Sequence, residues 1–304
     1  MLIEFQNLKD KLIDIRSGKI KEGEKIDVPQ IDDYLRFKEG NFNVILGHAN
    51  VGKTTVILYL MLVYAKRLKK RWLIFSSENE PHSIVRKLLE FLEQKPINKI
   101  QDTEFEEHLE FINTHFKIID SSSLYTYRKL IELANAIKGA WDYHGLLIDP
   151  YNSLIKDPEM SKNLGGHEYD YQATTEIRLF AKKNNITVWL NTHANTNALR
   201  IKHAIGHEYV GHPIPPMASD VEGGGKFVNR ADDFIVIHRY IQHPTEWMIN
   251  HIHVRKVKEI ETGGRPTPID EPIKMKSIIG NVGFEIEGCA ILEKPIREQS
   301  NIPF

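Results

Sequence analysis

The chain has 304 residues, with 40 Lys and Arg against 41 Asp and Glu, so it can bury one large core and has no bulk charge to draw it to nucleic acid or an anionic membrane. Its 41% hydrophobic and 27% charged residues exclude a disordered or fibrous chain. The single cysteine, Cys289, excludes an intrachain disulfide and a thiolate zinc site, and suits a reducing compartment.

At the N-terminus, MLIEFQNLKDKL is too charged for a signal peptide, and no later apolar run approaches the roughly 18 residues of a membrane span. The expected location is the cytoplasm, without a membrane partner. Leu2, Phe5, Leu8, Leu12 and Ile15 recur at helical spacing and predict an amphipathic helix too short to stand alone. The polar stretch SGKIKEGEKID separates it from the body. Residues 1–25 therefore form a linker helix and connector, 26–288 one core domain, and 289–304 a polar tail.

Within the core, NVILG, WLIFSS, FKIID, GLLID and TVWLNT are short β-rich runs, while 54–69, 83–93, 125–138 and 173–184 carry helical periodicity. The alternation predicts an α/β fold: a mostly parallel central sheet flanked by helices on both faces. Residues 195–225, rich in His, Gly and Pro, form a long loop, which in a compact domain is functional or disordered. FIVIHRY and WMINHIHVRKV follow as two adjacent strands.

The segment GHANVGKT matches the phosphate-binding pattern G-x-x-x-x-G-K-[ST], after an apolar strand and before a helical run. Gly47, His48, Ala49, Asn50, Val51, Gly52, Lys53, Thr54 and the following Thr55 are the expected nucleotide contacts. The glycines let successive N–H groups aim at phosphate oxygens, and the helix N-terminus adds its dipole. Lys53 would neutralise the β- and γ-phosphates of ATP, and the Thr54 hydroxyl would ligate Mg²⁺.

Asp149 ends the buried run GLLID, where a carboxylate can hold Mg²⁺ through its water shell. Hydrolysis also needs a base that orients the attacking water. Glu78, just after WLIFSS, falls at the carboxyl end of a strand, where ligands of parallel sheets bind. Glu80, before Pro81, reads as a helix-capping acid.

From about residue 30 to 285 the chain resembles the RecA-like motor domain of the DnaB and Twinkle type of hexameric replicative helicases, phage primase-helicases among them. FSSEN is similar to the family's FSLEM segment, which puts the catalytic base on Glu78. GLLIDPYNSL resembles the metal-binding segment and matches Asp149. WLNTHANT resembles the segment carrying a polar γ-phosphate sensor, here His193. VEGGGKFVNRADDFIVIHR resembles the DNA-binding loop and the strand whose terminal arginine packs on the nucleotide base, which implies Arg239. In VRKVKEIETGG the family's Lys-x-Arg, whose arginine reaches across the subunit interface, is replaced by Lys256 and Lys258. Lysine is a point donor and not a planar fork. Arg255, one residue earlier, could substitute only through a slip of register.

The resemblance implies a homo-oligomer, expected to be a hexameric ring, on single-stranded DNA, with a separate primase or loader as partner. Arg200, Lys202, Gly224, Gly225 and Lys226 are the expected DNA contacts, sequence-independent because phosphate contacts position without specifying. The N-terminal helix sits where the family has a linker helix packed on the neighbouring subunit, although it could fold back on its own domain. The expected activity is an ATP-driven helicase motor. The alternative is a DNA-stimulated ATPase that loads or remodels replication or recombination proteins. His203 and His207 have an i,i+4 spacing but no Cys or acidic partner at ligand spacing. His251 and His253 alternate on a strand, both toward one side, and predict a surface or interface role.

Overall fold

A computed structural model describes residues 4–19 and 22–292. Helix α1 (Phe5–Arg16) and the short α2 (Pro29–Asp32) precede an alternating body: β1 (Phe42–Gly47), α3 (Lys53–Leu68), β2 (Trp72–Ser76), α4 (Pro81–Glu93), α5 (Asp102–His115), β3 (Phe116–Ile118), α6 (Tyr127–Ala140), β4 (Gly145–Asp149), α7 (Pro158–Asn163), α8 (Gly166–Asn184) and β5 (Thr187–His193). Beyond the long loop lie α9 (Lys226–Arg230), β6 (Asp233–His238), β7 (Ile249–Val257), β8 (Ile273–Ser277), β9 (Phe284–Ile286) and β10 (Cys289–Ala290).

The strands form one ten-stranded sheet ordered β10-β9-β8-β7-β6-β1-β5-β4-β2-β3. From β3 to β6 the neighbours are parallel, and from β6 to β10 they are antiparallel. The parallel strands read as continuous apolar runs because both faces are covered. Ile45, Trp72, Ile74 and Trp189 pack with α3 and α4, whereas Val44, Leu46, Leu73 and Val188 pack with α6 and α8. Helix α3 is buried at every position from Val56 to Ala65, the mark of a helix enclosed all round. The last strands complete that enclosure. The Tyr59 hydroxyl donates to Phe284 O at 3.2 Å and accepts from Leu292 N at 3.1 Å.

Three expectations change. The body does not stop at 288, because β10 pairs with β9 and Ile291 and Leu292 are buried; the rest of the tail lies outside the described residues. Leu2 and the side chain of Ile15 also lie outside them, but Phe5 is 75% and Leu12 60% exposed, so α1 is not folded back with its apolar face on its own domain. His251 and His253 are not at the surface. They are only 2% and 3% exposed, beneath the 195–225 loop, whose own residues pair at Lys202 with Pro213 and at His203 with Val210.

Candidate nucleotide-hydrolysis site

The carboxyl ends of four adjacent strands, β1, β5, β4 and β2, present the phosphate loop, His193, Asp149 and Glu78. Gly47 is required where it stands, since a Cβ there would lie 2.5 Å from the Ile237 carbonyl oxygen of β6. Asn50 (φ 62°) and Gly52 (φ 86°) are left-handed, which turns the chain into α3 with its first N–H groups pointing outward and lacking intrahelical partners. The loop is braced from behind. Arg239 Nη2 donates to Asn50 O at 2.9 Å, and the buried Asn250 Nδ2 donates to Val51 O at 2.7 Å.

Lys53 is buried, and its ammonium donates to the carbonyls of Gly47 (3.0 Å) and His48 (2.8 Å). Burial pulls its pKa down to about 8, against the opposing pull of Asp149 and Glu78. The same ammonium lies 3.4 Å from His193 Nδ1, and His193 Nε2 lies 3.2 Å from Glu78 Oε1. An ammonium can only donate, so Nδ1 accepts and the ring proton sits on Nε2, directed at Glu78. One imidazole thus links Lys53 to Glu78.

Asp149 is fully buried. Its Oδ2 accepts from Thr54 Oγ1 at 2.8 Å and Ser76 Oγ at 3.5 Å, and its Oδ1 accepts from Asn191 Nδ2. Burial raises its pKa, while the bonds from Asn191 and Thr54 work the other way. A hydroxyl and a carboxylate in contact beside a phosphate loop form an oxygen donor set of the kind Mg²⁺ takes. Glu80 is the residue before α4 but caps nothing with its side chain. His48 is buried, Ala49 and Asn50 are exposed, and Thr55 is half-buried.

Asn191, Ser76, Asn250 and Asn152 are the site residues the sequence reading missed. Asn191 carried a signal, as a polar residue inside an apolar strand must find a partner. Asn152 joins three segments: its Oδ1 accepts from Thr192 Oγ1 (2.9 Å) and His193 N (3.3 Å), and its Nδ2 donates to Glu222 Oε2 (3.0 Å). Backbone bonds from Glu222 N to His193 O (3.0 Å) and Asn195 N to Asp220 O (2.8 Å) lace the glycine loop to the end of β5.

The remaining expected residues separate into free and engaged. Arg200 and Lys202 are exposed, as is Gly225, while Gly224 is half-buried with φ 94°. Lys226 is not available to DNA. It is 4% exposed and donates to His167 O at 2.7 Å, with Asp170 at 3.5 Å. Lys256 is engaged too: its ammonium donates to Val228 O and Ala231 O, both at 2.7 Å, at the end of α9. Lys258, 3.7 Å from Asp232, is largely open to solvent. It lies one residue past the end of β7 and eight residues from Asn250, about 27 Å at strand rise, so it cannot reach the phosphate loop of its own chain. Among the described residues no group of three His, Cys, Asp or Glu could hold a metal, and no helix is long and apolar enough to cross a membrane.

No protein-family model matches the chain. The Twinkle homolog protein, chloroplastic/mitochondrial, of Arabidopsis thaliana is 26% identical over 220 residues, 69% of this chain and 29% of that protein; the chain spans less than a third of this relative. Among solved structures, the ATPase domain of G40P matches with TM-score 0.74 and 12% identity, over 93% of this chain and 99% of that one. A DnaB-like replicative helicase, described with its interactions with primase, gives 0.69 and 13%, over 93% and 67%. A KaiC-like protein of the archaeon Pyrococcus horikoshii gives 0.55 and 16%, over 88% and 99%. The fold is RecA-like, and the resemblance to the DnaB and Twinkle motor domain is borne out.

Proposed function

We propose that the chain is the ATP-hydrolysing motor of a ring-forming DNA helicase that translocates on single-stranded DNA. The observation that carries this reading is the line from Lys53 through His193 to Glu78, next to the Thr54 and Asp149 pair. Mg²⁺ held by Thr54 and Asp149 would supply charge neutralisation on the β- and γ-phosphates of ATP. Lys53 gives its ammonium to the same oxygens in place of the carbonyls it now holds. Glu78 orients and deprotonates the attacking water. His193 positions Glu78, and through Asn152 and the backbone of Glu222 it ties occupancy of the site to the glycine loop.

The second half of the site belongs to a neighbouring subunit. Lys258 has the exposure and the position, just past the end of β7, to serve another chain's phosphates, and the exposed face of α1 suits packing on that neighbour. Arg200, Lys202 and the backbone of Gly224 and Gly225 are the DNA contacts of this reading, and Arg239 is the residue beside the base. A hexamer in the cytoplasm, served by a separate primase or loader, completes it.

The engagement of Lys256 favours one alternative, a DNA-stimulated ATPase that remodels other proteins, because a single lysine gives weaker activation across the interface than a guanidinium fork. Steady-state ATPase with and without single-stranded DNA, beside a fork-unwinding assay, separates the two. Stimulation with unwinding is expected; stimulation alone selects the remodeller, and no hydrolysis with Mg²⁺ present overturns both.

A further inference from the structure

Between the 195–225 loop and the faces of β7 and β8 lies a cavity of about 260 Å³, none of whose lining residues belongs to the phosphate loop or to the hydrolytic site. Its buried wall is a row of side chains on β7. His251 Nε2, both ring nitrogens of His253 and Arg255 Nε are buried without a hydrogen-bond partner. Leaving four such groups unsatisfied is costly, and their clustering on one wall marks a place built for something polar.

Arg255 faces this wall with His251 and His253 because residues two apart on a strand point to the same side. Phe234 pairs with Lys256 and Ile235 with Val254, so Arg255 is an extra residue in β7, and the bulge reverses the alternation only beyond it, where Val257 joins Ile252 and Val254 in the core. Arg255 thus keeps the face of the two histidines and lines the cavity with them. Arg255 and the exposed Lys274, also on the wall, make no ion pair within 4.0 Å among the described residues, although Asp270 is near enough to attract Arg255. The acids at this cavity, Glu208 and Asp270, are both exposed to solvent. Burial holds His251 and His253 neutral, with pKa lowered to about 4 and about 2, and the cations Lys274 and Arg255 respectively add to the effect. Each ring then offers one N–H donor to an incoming oxygen.

We propose that this cavity is a phosphate-binding site in which Arg255, His251 and His253 hold the oxygens of a phosphate group. The group belongs either to a nucleic-acid backbone or to free phosphate. A backbone source rests on the motor reading above, with the exposed Arg200 and Lys202 just before His203, which lines the cavity; a free source does not depend on it.

The test uses the full chain with Mg-ADP filling the phosphate loop. In ¹⁵N-histidine-labelled protein, the imidazole signals of His251 and His253 are followed while inorganic phosphate is added. In parallel, binding of a fluorescent oligothymidylate is measured by anisotropy over a salt series for wild type, Arg255→Gln and Arg255→Lys. For a backbone phosphate, Arg255→Gln weakens binding about tenfold and reduces the salt slope by about 0.7, as for one lost single-strand phosphate contact, while Arg255→Lys stays near wild type. For free phosphate, the wild-type imidazole signals shift on titration and oligonucleotide binding ignores the substitution. Wild type that binds no oligonucleotide but still shows the imidazole shifts removes the DNA reading and keeps the site. Unmoved imidazole signals together with unchanged DNA binding overturn the proposal, leaving a water-filled cavity. If Arg255→Gln does not fold, the wild-type imidazole signals decide: shifts on adding inorganic phosphate or oligothymidylate keep the site, and no shift with either overturns it.

Discussion

Replacing Lys256 by Met separates a structural lysine from a catalytic one. In the structure its ammonium donates to two carbonyls at the end of α9, each at 2.7 Å, where a cation also complements the helix dipole. Charge-assisted bonds of this kind contribute roughly 1.5–3 kcal/mol each, and with the side chain only partly buried the sum discounts to about 2 kcal/mol. In a chain of this size that lowers the melting temperature by about 3 °C. Lys258→Ala removes a solvent-exposed contact of 3.7 Å to Asp232, worth under about 1 kcal/mol, so its melting temperature should hold. Turnover should respond the other way: Lys256→Met keeps ATPase activity per assembled subunit, while Lys258→Ala abolishes assembly-dependent turnover and spares nucleotide binding. Thermal melts and ATPase rates across protein concentration read both. The reasoning fails if Lys256→Met leaves the melt unchanged but stops turnover, or if Lys258→Ala turns over normally.

Glu78→Gln is expected to lower kcat by about 10² to 10⁴ with nucleotide affinity nearly unchanged; intact turnover in single-turnover kinetics would mean another base. Asn152→Ala should reduce DNA stimulation of the ATPase more than the basal rate, because it cuts the side-chain link between β5 and Glu222, and equal loss of both rates would refute a coupling role. For His238, His251 and His253, burial lowers the pKa to about 3, about 4 and about 2 from 6.5. The unfolded chain then binds more protons than the native one below pH 6.5. Their neutral burial contributes full stability above that pH, and stability falls by on the order of 1.4 kcal/mol per histidine per pH unit as pH drops toward the folded values. A urea midpoint that stays flat from pH 7.5 to 5 would contradict this.

Much of the hydrolytic half was legible because it depends on local pattern. GHANVGKT, Asp149 and Glu78 each stand at the end of an apolar run, and the run itself fixes where the residue goes. The helix α8 was read from residue 173 because 166–172 is polar; the structure begins it at Gly166. Helix α5 was missed, although Gln101 and Glu104 set up a capping signature, the Gln101 N–H donating to Glu104 Oε2 at 3.2 Å. What stayed hidden was long-range. Nothing near Lys226 or Lys256 in sequence tells that Asp170 or the end of α9 will take up the charge, and the burial of His251 and His253 depends on a loop forty residues away. Strand β8 alternates buried and exposed residues, a pattern available in IKMKS but masked by its two lysines.

The 195–225 loop is pinned at both ends of its excursion. Ile214 N bonds to Ile201 O at 3.0 Å and His203 N to His212 O at 3.0 Å, whereas Ile205 at the tip is 97% exposed. Chain length can therefore grow or shrink around Gly206 without disturbing the segment that holds His193 to Glu222, since the closed base isolates the tip from the lacing behind it. A foreign peptide grafted at the tip would be carried as cargo, outside the hydrogen bonds that join His193 and Asn152 to Glu222.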